Sequence, residues 1–224
     1  MKLLIFTRTT DYRHASIAEG VVALRGLAEA AGLDAHVSQD AGCFTPESLA
    51  SFRAVVWLST SGDVLDPTQR TAFERFIRAG GSYVGVHSAS ATLLDWPFYG
   101  ELVGARFVGH PPLQLGRLVV EDREHPATAH LGTEWNREDE WYAFDQNPRP
   151  HVRVLISVDE SSYAGGRMGD HPLVWCRELG SARSFYSALG HSPGDYQDPD
   201  FLLHLAGGLA WATGAPLASP ALRL

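Results

Sequence analysis

The sequence predicts an α/β fold with a doubly wound, mainly parallel sheet, and two observations support this prediction. In the first half of the chain, short apolar runs alternate with segments whose apolar residues recur at helical spacing. This alternation of strands and crossover helices is typical of a parallel sheet. In the second half, strand-like runs are separated by linkers rich in proline, glycine and aspartate. We expect these runs to extend or flank the sheet, some of them as antiparallel strands.

Four strands and three helices are predicted in the first half. The run 2–6 is almost continuously apolar, as expected for a central strand buried on both faces. The first helix has Ser16 as its N-cap and ends at Gly32, and a short second helix begins at Thr45-Pro46-Glu47. The third helix starts with Asp66-Pro67-Thr68-Gln69, which supplies a cap, a first-turn proline and a capping-box glutamine. The other strands are predicted at 35–37, 54–58 and 82–86.

Five strand-like runs and a final helix are predicted in the second half. The runs are 113–120, 140–144, 152–158, 172–176 and 183–189. The helix has Asp198 as its cap and Pro199 at its first position, and Gly214 ends it. No linker marks a domain boundary, so we predict one domain over residues 1–214 and a C-terminal tail over 215–224.

Composition and charge narrow the classes of function. The 224 residues are 45% apolar and 20% charged, an ordinary globular composition. With 18 basic and 26 acidic side chains the formal charge is -8, which argues against nucleic acid or an anionic membrane as partner. Two cysteines, Cys43 and Cys176, do not make a disulfide framework, and no apolar run approaches the roughly 20 residues of a membrane span. We therefore predict a cytoplasmic protein with a small-molecule ligand, and the sequence leaves a homo-oligomer open.

The stretch 82–91 is the strongest functional signal in the sequence. A buried strand with apolar residues on both sides of Gly85 runs directly into small residues at 88–91. Small neighbours allow the tight strand-to-helix turn called a nucleophile elbow, which presents the side chain at its apex. The apex residue here is His87, where such an elbow carries serine or cysteine.

Other candidate site residues follow from the rule that ligands bind at the carboxyl ends of parallel strands. The polar side chains that follow predicted strands are Arg13, His14, Asp63, His87, Ser88 and His191. Two further segments are polar: His110 lies in a proline-rich loop, and Asp139 and Glu140 precede Trp141 and Tyr142. Carboxylates beside aromatic rings are common in sugar-binding sites. Each of these residues also has a structural explanation, because loop histidines are usually structural and acidic runs usually form solvated turns.

Several of these motifs together resemble the ThuA-like family, named for trehalose utilisation, within the class I glutamine amidotransferase-like superfamily. The motifs are Tyr12-Arg13-His14-Ala15-Ser16-Ile17, Gly85-Val86-His87-Ser88-Ala89, Gly109-His110-Pro111, Asp139-Glu140-Trp141-Tyr142, Pro172-Leu173-Val174-Trp175, the stretch 180–186 and Leu189-Gly190-His191. They occur in the family's order and span nearly the whole chain, from residue 2 to residue 214. The resemblance implies a flavodoxin-like, three-layer fold.

The resemblance does not extend to amidotransferase chemistry. In glutamine amidotransferases the elbow apex is a cysteine, and a late His-Pro-Glu segment completes the triad. Here the apex is His87, and the late segment Gly190-His191-Ser192-Pro193 lacks the glutamate. An imidazole cannot form the thioester that glutamine hydrolysis requires. The family context implies instead the use of trehalose, sucrose and related disaccharides by way of 3-keto sugars.

The leading hypothesis is an enzyme that acts on a sugar or keto-sugar by proton transfer. His87 is the predicted general base or acid, because an imidazole with a pKa near ~6.5 titrates close to neutral pH. His191 and one of Asp139 or Glu140 complete the catalytic group. The predicted substrate-binding residues are Arg13, His14, Asp63, Ser88, His110, Trp141 and Tyr142, with an aromatic ring stacking on the sugar.

Two alternatives remain open from the sequence. In the first, His87, His110 and His191 with a carboxylate bind Zn²⁺ or another divalent ion with an open position, although no local metal motif is present. In the second, the protein is a non-catalytic sugar- or partner-binding module that keeps the pocket of an enzyme and not its chemistry. A hydrolase that uses Ser88 is weaker, because that residue lies one place beyond the apex.

Overall fold

The computed structural model describes residues 1–217, and its centre is a nine-stranded sheet. The strands are β1 (Lys2–Phe6), β2 (Asp34–Ser38), β3 (Phe52–Leu58), β4 (Ser82–Val86), β5 (Phe107–Gly109), β6 (Gln114–Val120), β7 (Glu134–Asp139), β8 (Ala143–Phe144), β9 (Arg153–Asp159), β10 (Pro172–Leu179) and β11 (Ala182–Ser187). The helices are α1 (Ile17–Ala30), α2 (Pro46–Leu49), α3 (Pro67–Arg78), α4 (Pro97–Val103) and α5 (Pro199–Thr213). The sheet runs β2-β1-β3-β4-β11-β10-β9-β6-β7, while β5 and β8 pair separately.

The sheet has a parallel half and an antiparallel half. Strands β2, β1, β3, β4 and β11 are parallel, as the alternation of the first half predicts. The four pairings from β11 to β10, β9, β6 and β7 are all antiparallel. Because four reversals restore the original direction, β7 ends at the same edge of the sheet as β1, β4 and β11. Segments that follow these four strands can therefore meet.

Helices cover both faces of the sheet, which gives the three-layer architecture. Neighbouring residues of β3 illustrate the alternation of a strand buried on both sides. The Trp57 ring packs against Phe73 of α3 and Tyr99 of α4, with centroid distances of 5.1 and 5.0 Å. Leu58 faces the other layer, where it packs close to Gly20 of α1. The predicted α/β fold, a doubly wound parallel sheet extended by strands from the second half of the chain, is therefore confirmed.

The predicted helix caps are mostly observed. Asp66 and Gln69 form the reciprocal capping box at the start of α3, with both hydrogen bonds 2.9 Å long. Asp198 caps α5 by accepting the backbone N–H of Asp200 at 3.0 Å. Ser16 does not cap α1, because its hydroxyl donates instead to the carbonyl of Gly190, 3.2 Å away. That bond ties the start of α1 to the loop after β11.

The second half departs from prediction around residue 140. The predicted strand 140–144 is wrong in its bounds, because β7 spans Glu134–Asp139 and only the short β8 follows. Residues 140–142, between these two strands, carry no regular structure. Helix α4 was not predicted. Residues 215–217 carry no regular structure, and the rest of the predicted tail, 218–224, lies outside the described residues. Within residues 1–217, no helix has the length and apolarity needed to cross a membrane.

Candidate functional site

The turn predicted at residue 87 is present, with strained backbone at its apex. His87 follows β4 directly and has φ +52°, a left-handed conformation that is uncommon for a residue with a side chain. The Tyr186 hydroxyl stabilises the turn by donating to the His87 carbonyl at 2.9 Å. The side chain differs from the expectation of exposure, because it is fully buried. Residues from other segments cover it.

Those covering groups surround Nε2 of His87. Its Nδ1 lies 2.8 Å from the carbonyl oxygen of Ala188 and donates to it. Nε2 therefore points the other way, to Nε2 of His14 at 3.1 Å and to the hydroxyl of Tyr142 at 2.8 Å. Oε2 of Glu140 is 3.5 Å from the same nitrogen. The elbow imidazole is thus the buried centre of a polar cluster.

Glu140 connects this buried centre to solvent. Its Oε2 lies 3.1 Å from Nδ1 of His191, a contact that does not meet hydrogen-bond geometry. Its Oε1 lies 3.5 Å from Nε2 of His110. The side chains of Glu140, His191 and His110 are 12%, 23% and 32% exposed. Any ligand reaches the cluster from this side, because His87 and His14 are covered.

The charges in the cluster follow from burial and from neighbouring groups. Burial, reinforced by His87 and His191, lowers the pKa of His14 to about 3, so His14 is neutral at neutral pH. Burial would raise the pKa of Glu140, but contacts with His191 and His87 outweigh it and hold that pKa well below its usual range. The same carboxylate raises the pKa of His191. The cluster therefore combines a carboxylate with at least one neutral imidazole.

Asp139 is fully buried and contacts backbone rather than solvent. Its oxygens accept the backbone N–H groups of Gly190, His191 and Glu140 at 3.0, 3.3 and 2.9 Å. The buried Arg137 lies 3.6 Å from it. Asp139 thus fixes the two segments that carry Glu140 and His191, which is a positioning geometry. Its predicted catalytic role stays untested, and it has no exposed surface for contact with a substrate.

The remaining predicted residues divide into near and distant ones. The Ser88 hydroxyl lies 3.3 Å from Nδ1 of His14, next to the cluster. Tyr142 is buried against His87, and Trp141 is fully buried, with no ring face free for a sugar. Arg13 is exposed and donates to the Thr7 carbonyl at 2.9 Å. Asp63 is on the surface, 3.5 Å from Arg70.

Two residues without a predicted role stand out in the structure. Tyr12 is 63% exposed, and its ring contacts His14 edge-on with a centroid distance of 4.7 Å. Its position within a family motif was the available sequence signal. Arg137 is buried between the rings of Trp135 and Phe201, 4.5 and 4.9 Å away, and pairs with Asp195 at 2.6 Å. The available signal for the burial of Arg137 was the alternation in β7, where every second residue is buried.

His14, His87, Glu140 and His191 offer one ligand atom each within 4.8 Å of one another. This set could hold a metal ion. The metal set expected from the sequence contained His110, which lies outside this group, whereas His14 lies within it. The sequence predicted His14 at this edge of the sheet, because it follows the first predicted strand. Only the fold brings it into contact with His87.

Fold and site together define a three-layer α/β protein whose turn after β4 carries a histidine at its apex. Sequence comparison gives the family within that class. A family model described as ThuA, trehalose utilisation, matches residues 2–212, so the chain belongs to the ThuA family. The resemblance predicted from the motifs is confirmed. No curated protein matches the chain.

Solved structures agree with this assignment. A ThuA-like protein from Bacteroides uniformis ATCC 8492 is similar with TM-score 0.79 and 23% identity over 95% of this chain and 91% of that chain. Another from Parabacteroides merdae ATCC 43184 has TM-score 0.74 and 22% identity over 96% and 90%. A cytoplasmic protein of Salmonella typhimurium has TM-score 0.63 and 10% identity over 96% and 98%. At these identities the likeness shows the fold alone, and the cytoplasmic location of this chain stays a prediction.

Proposed function

We propose that this protein is an enzyme of disaccharide utilisation that acts on a sugar or a 3-keto-sugar. The reaction is proton transfer by histidine and carboxylate groups, assisted by a divalent metal ion. One observation carries the proposal: Glu140 faces His87, His110 and His191, three imidazoles from three separate segments. Titratable groups that converge in a partly water-excluded cluster are typical of catalytic sites. Membership of the trehalose-utilisation family supplies the substrate class.

The chemistry suits a keto-sugar. A carbon next to a ketone loses a proton when a base is within reach and the developing oxyanion is stabilised. Glu140, His191 and His110 reach solvent and can contact a substrate, whereas the buried His87 acts through them. A divalent ion held by the cluster would supply electrostatic stabilisation of the oxyanion, and His110 and Tyr142 would be the flanking groups that exchange protons.

In this proposal Tyr12, rather than Trp141, contacts the ring of the sugar. The Tyr12 ring is exposed beside His14, while its backbone is held by the Ser61 hydroxyl, which donates to the Tyr12 carbonyl at 2.6 Å. A rigidly held, exposed aromatic ring beside polar groups suits a sugar, which has apolar ring faces and polar edges. We expect Tyr12→Ala to weaken sugar binding and Tyr12→Phe to preserve it.

An NMR time course tests the proposed reaction. The wild type is mixed with trehalose, sucrose and their 3-keto derivatives, beside Glu140→Gln and the surface control Glu138→Gln. We expect conversion by the wild type and by the control. Glu140→Gln should slow the conversion by on the order of 100-fold or more, since acid–base groups contribute about 10²–10⁴-fold to the rate. Equal turnover by Glu140→Gln would refute the assignment.

The second candidate is a non-catalytic sugar-binding module. The observation that favours it is the elbow itself, where His87 is fully buried and no nucleophile stands at the apex. Calorimetry with the same sugars separates the two functions. Binding of a sugar without conversion in the NMR time course would favour the module.

A further inference from the structure

We propose that His14, His87, Glu140 and His191 are the ligands of one divalent transition-metal ion, with Zn²⁺ as the expected ion. The inference deepens the proposed function, because it identifies the ligands of the assisting metal, and it rests on that function only in using the same cluster. It differs from the set expected from the sequence by replacing His110 with His14. Four arguments lead to it.

The first argument is distance. Nε2 of His14 and Nε2 of His87 are 3.1 Å apart, and Oε2 of Glu140 lies 3.5 Å from the latter and 3.1 Å from Nδ1 of His191. Ligand atoms around a tetrahedral zinc with bonds of 2.0–2.1 Å are separated by about 3.3 Å. The remaining pairs lie within 4.8 Å, so small side-chain rotations complete the set.

The second argument is the count of lone pairs. Because His87 donates its Nδ1–H to Ala188, its neutral form leaves a single lone pair on Nε2. Both the Tyr142 hydroxyl and Nε2 of His14 approach that lone pair, at 2.8 and 3.1 Å. If Nε2 of His14 carries its proton, two donors compete for one lone pair, and if it does not, two lone pairs face each other at 3.1 Å. A cation between the two imidazoles removes the conflict, since each nitrogen then gives its lone pair to the ion.

The third argument is the unsatisfied nitrogen of His191. Its Nδ1 is buried and has no hydrogen-bond partner, although Glu140 is 3.1 Å away. A buried polar atom without a partner is costly and calls for an explanation. Two ligands of one ion lie at such a distance without a hydrogen bond between them, so a shared cation would account for this nitrogen.

The fourth argument is support from outside the ligand set. Metal-binding histidines usually engage the other ring nitrogen, which fixes the tautomer and the ring orientation. His87 does so with the Ala188 carbonyl, and Nδ1 of His14 lies 3.3 Å from the Ser88 hydroxyl. Asp139 fixes the backbone of the other two ligands, Glu140 and His191.

The donor set indicates the class of metal. Three imidazole nitrogens and one carboxylate oxygen suit Zn²⁺ and its neighbours in the first transition row, whereas Mg²⁺ and Ca²⁺ prefer oxygen ligands. His110 lies outside the set because its Nε2 faces Oε1, the other oxygen of Glu140, rather than Oε2.

Metal titration of the whole chain tests the proposal without any sugar. Protein stripped with a chelator is titrated with Zn²⁺ by calorimetry, and elemental analysis after dialysis gives the stoichiometry. Co²⁺ loading then reports the ligand field in the visible spectrum. The variants are Glu140→Gln and His191→Ala, whose side chains are partly exposed, and the controls are His110→Gln and Glu138→Gln. Circular dichroism and urea unfolding establish that each variant is folded.

We expect one ion per chain in the wild type and in both controls. Each ligand variant should bind Zn²⁺ on the order of 100-fold or more weakly, because even second-shell changes cost about 10–100-fold. Absence of a one-to-one site, or wild-type affinity in both ligand variants, would overturn the proposal. A loss in His110→Gln as large as in His191→Ala would overturn the ligand set. Zn²⁺ binding without sugar conversion would refute the proposed reaction and leave this inference standing. Conversion without metal binding would refute this inference and the metal assistance, and would leave proton transfer by the protein's own groups standing.

Discussion

Replacement of Asp139 by asparagine tests whether one buried carboxylate holds the site together. The carboxylate accepts three backbone N–H groups and lies beside Arg137. Asparagine has nearly the same shape but turns one acceptor into a donor. At least one backbone N–H, that of Gly190 if the amide nitrogen takes the place of Oδ2, then faces another donor.

The expected change in the free energy of unfolding follows from these contacts. A hydrogen bond to a charged group contributes about 1.5–3 kcal/mol, and an unsatisfied buried group costs about 1–3 kcal/mol. We therefore expect Asp139→Asn to lower the free energy of unfolding by about 3–5 kcal/mol. A protein near the middle of the usual stability range of about 5–15 kcal/mol stays folded after such a loss. Because Asp139 fixes the backbone of Glu140 and of His191, Zn²⁺ affinity should also fall by about 10–100-fold.

Urea unfolding and Zn²⁺ calorimetry on the same samples give both quantities. The control is Glu138→Gln, which removes an exposed carboxylate one residue earlier in β7 and should change the stability by less than about 0.5 kcal/mol. If Asp139→Asn changed the free energy of unfolding no more than this control, the positioning role of Asp139 would be refuted. If the variant lost stability but kept the wild-type Zn²⁺ affinity, Asp139 would stabilise the fold without positioning the metal ligands.

Two further predictions concern the core. Gly207→Ala should lower the free energy of unfolding by about 1–3 kcal/mol, because its Cβ would lie 2.2 Å from the Pro126 carbonyl oxygen. Gly26→Ala in α1, where a Cβ meets nothing within 4 Å, should raise it by up to about 1 kcal/mol, and equal effects in urea unfolding would contradict this. Burial lowers the pKa of His204 to about 3, so its contribution to stability is complete above about 6.5 and is lost as the pH falls toward 3. Between pH 7 and pH 5 this loss is on the order of 2 kcal/mol, and a His204→Asn variant with the wild-type pH slope of unfolding would disprove it.

The local signals in the sequence were sufficient for the parallel half of the fold. Apolar runs such as 2–6 and the Asp66–Gln69 capping box depend on nearest neighbours, so sequence patterns predict them. The elbow at His87 belongs to the same class, because a strand that meets a run of small residues has few ways to turn. The rule for parallel sheets then placed His14, His87 and His191 at one edge.

Only the tertiary structure decided which of these groups meet. The approach of Glu140 depends on four successive antiparallel pairings that bring the end of β7 back to the edge of β4, and no local pattern encodes that count. Trp141, which was expected to contact a sugar, is buried, whereas Tyr12, which had no predicted role, is exposed, since packing against distant segments sets the accessibility of each ring. For the same reason His14, rather than His110, contacts His87. The sequence by itself determined the fold class and the elbow, and the long-range pairing of strands determined the composition of the site.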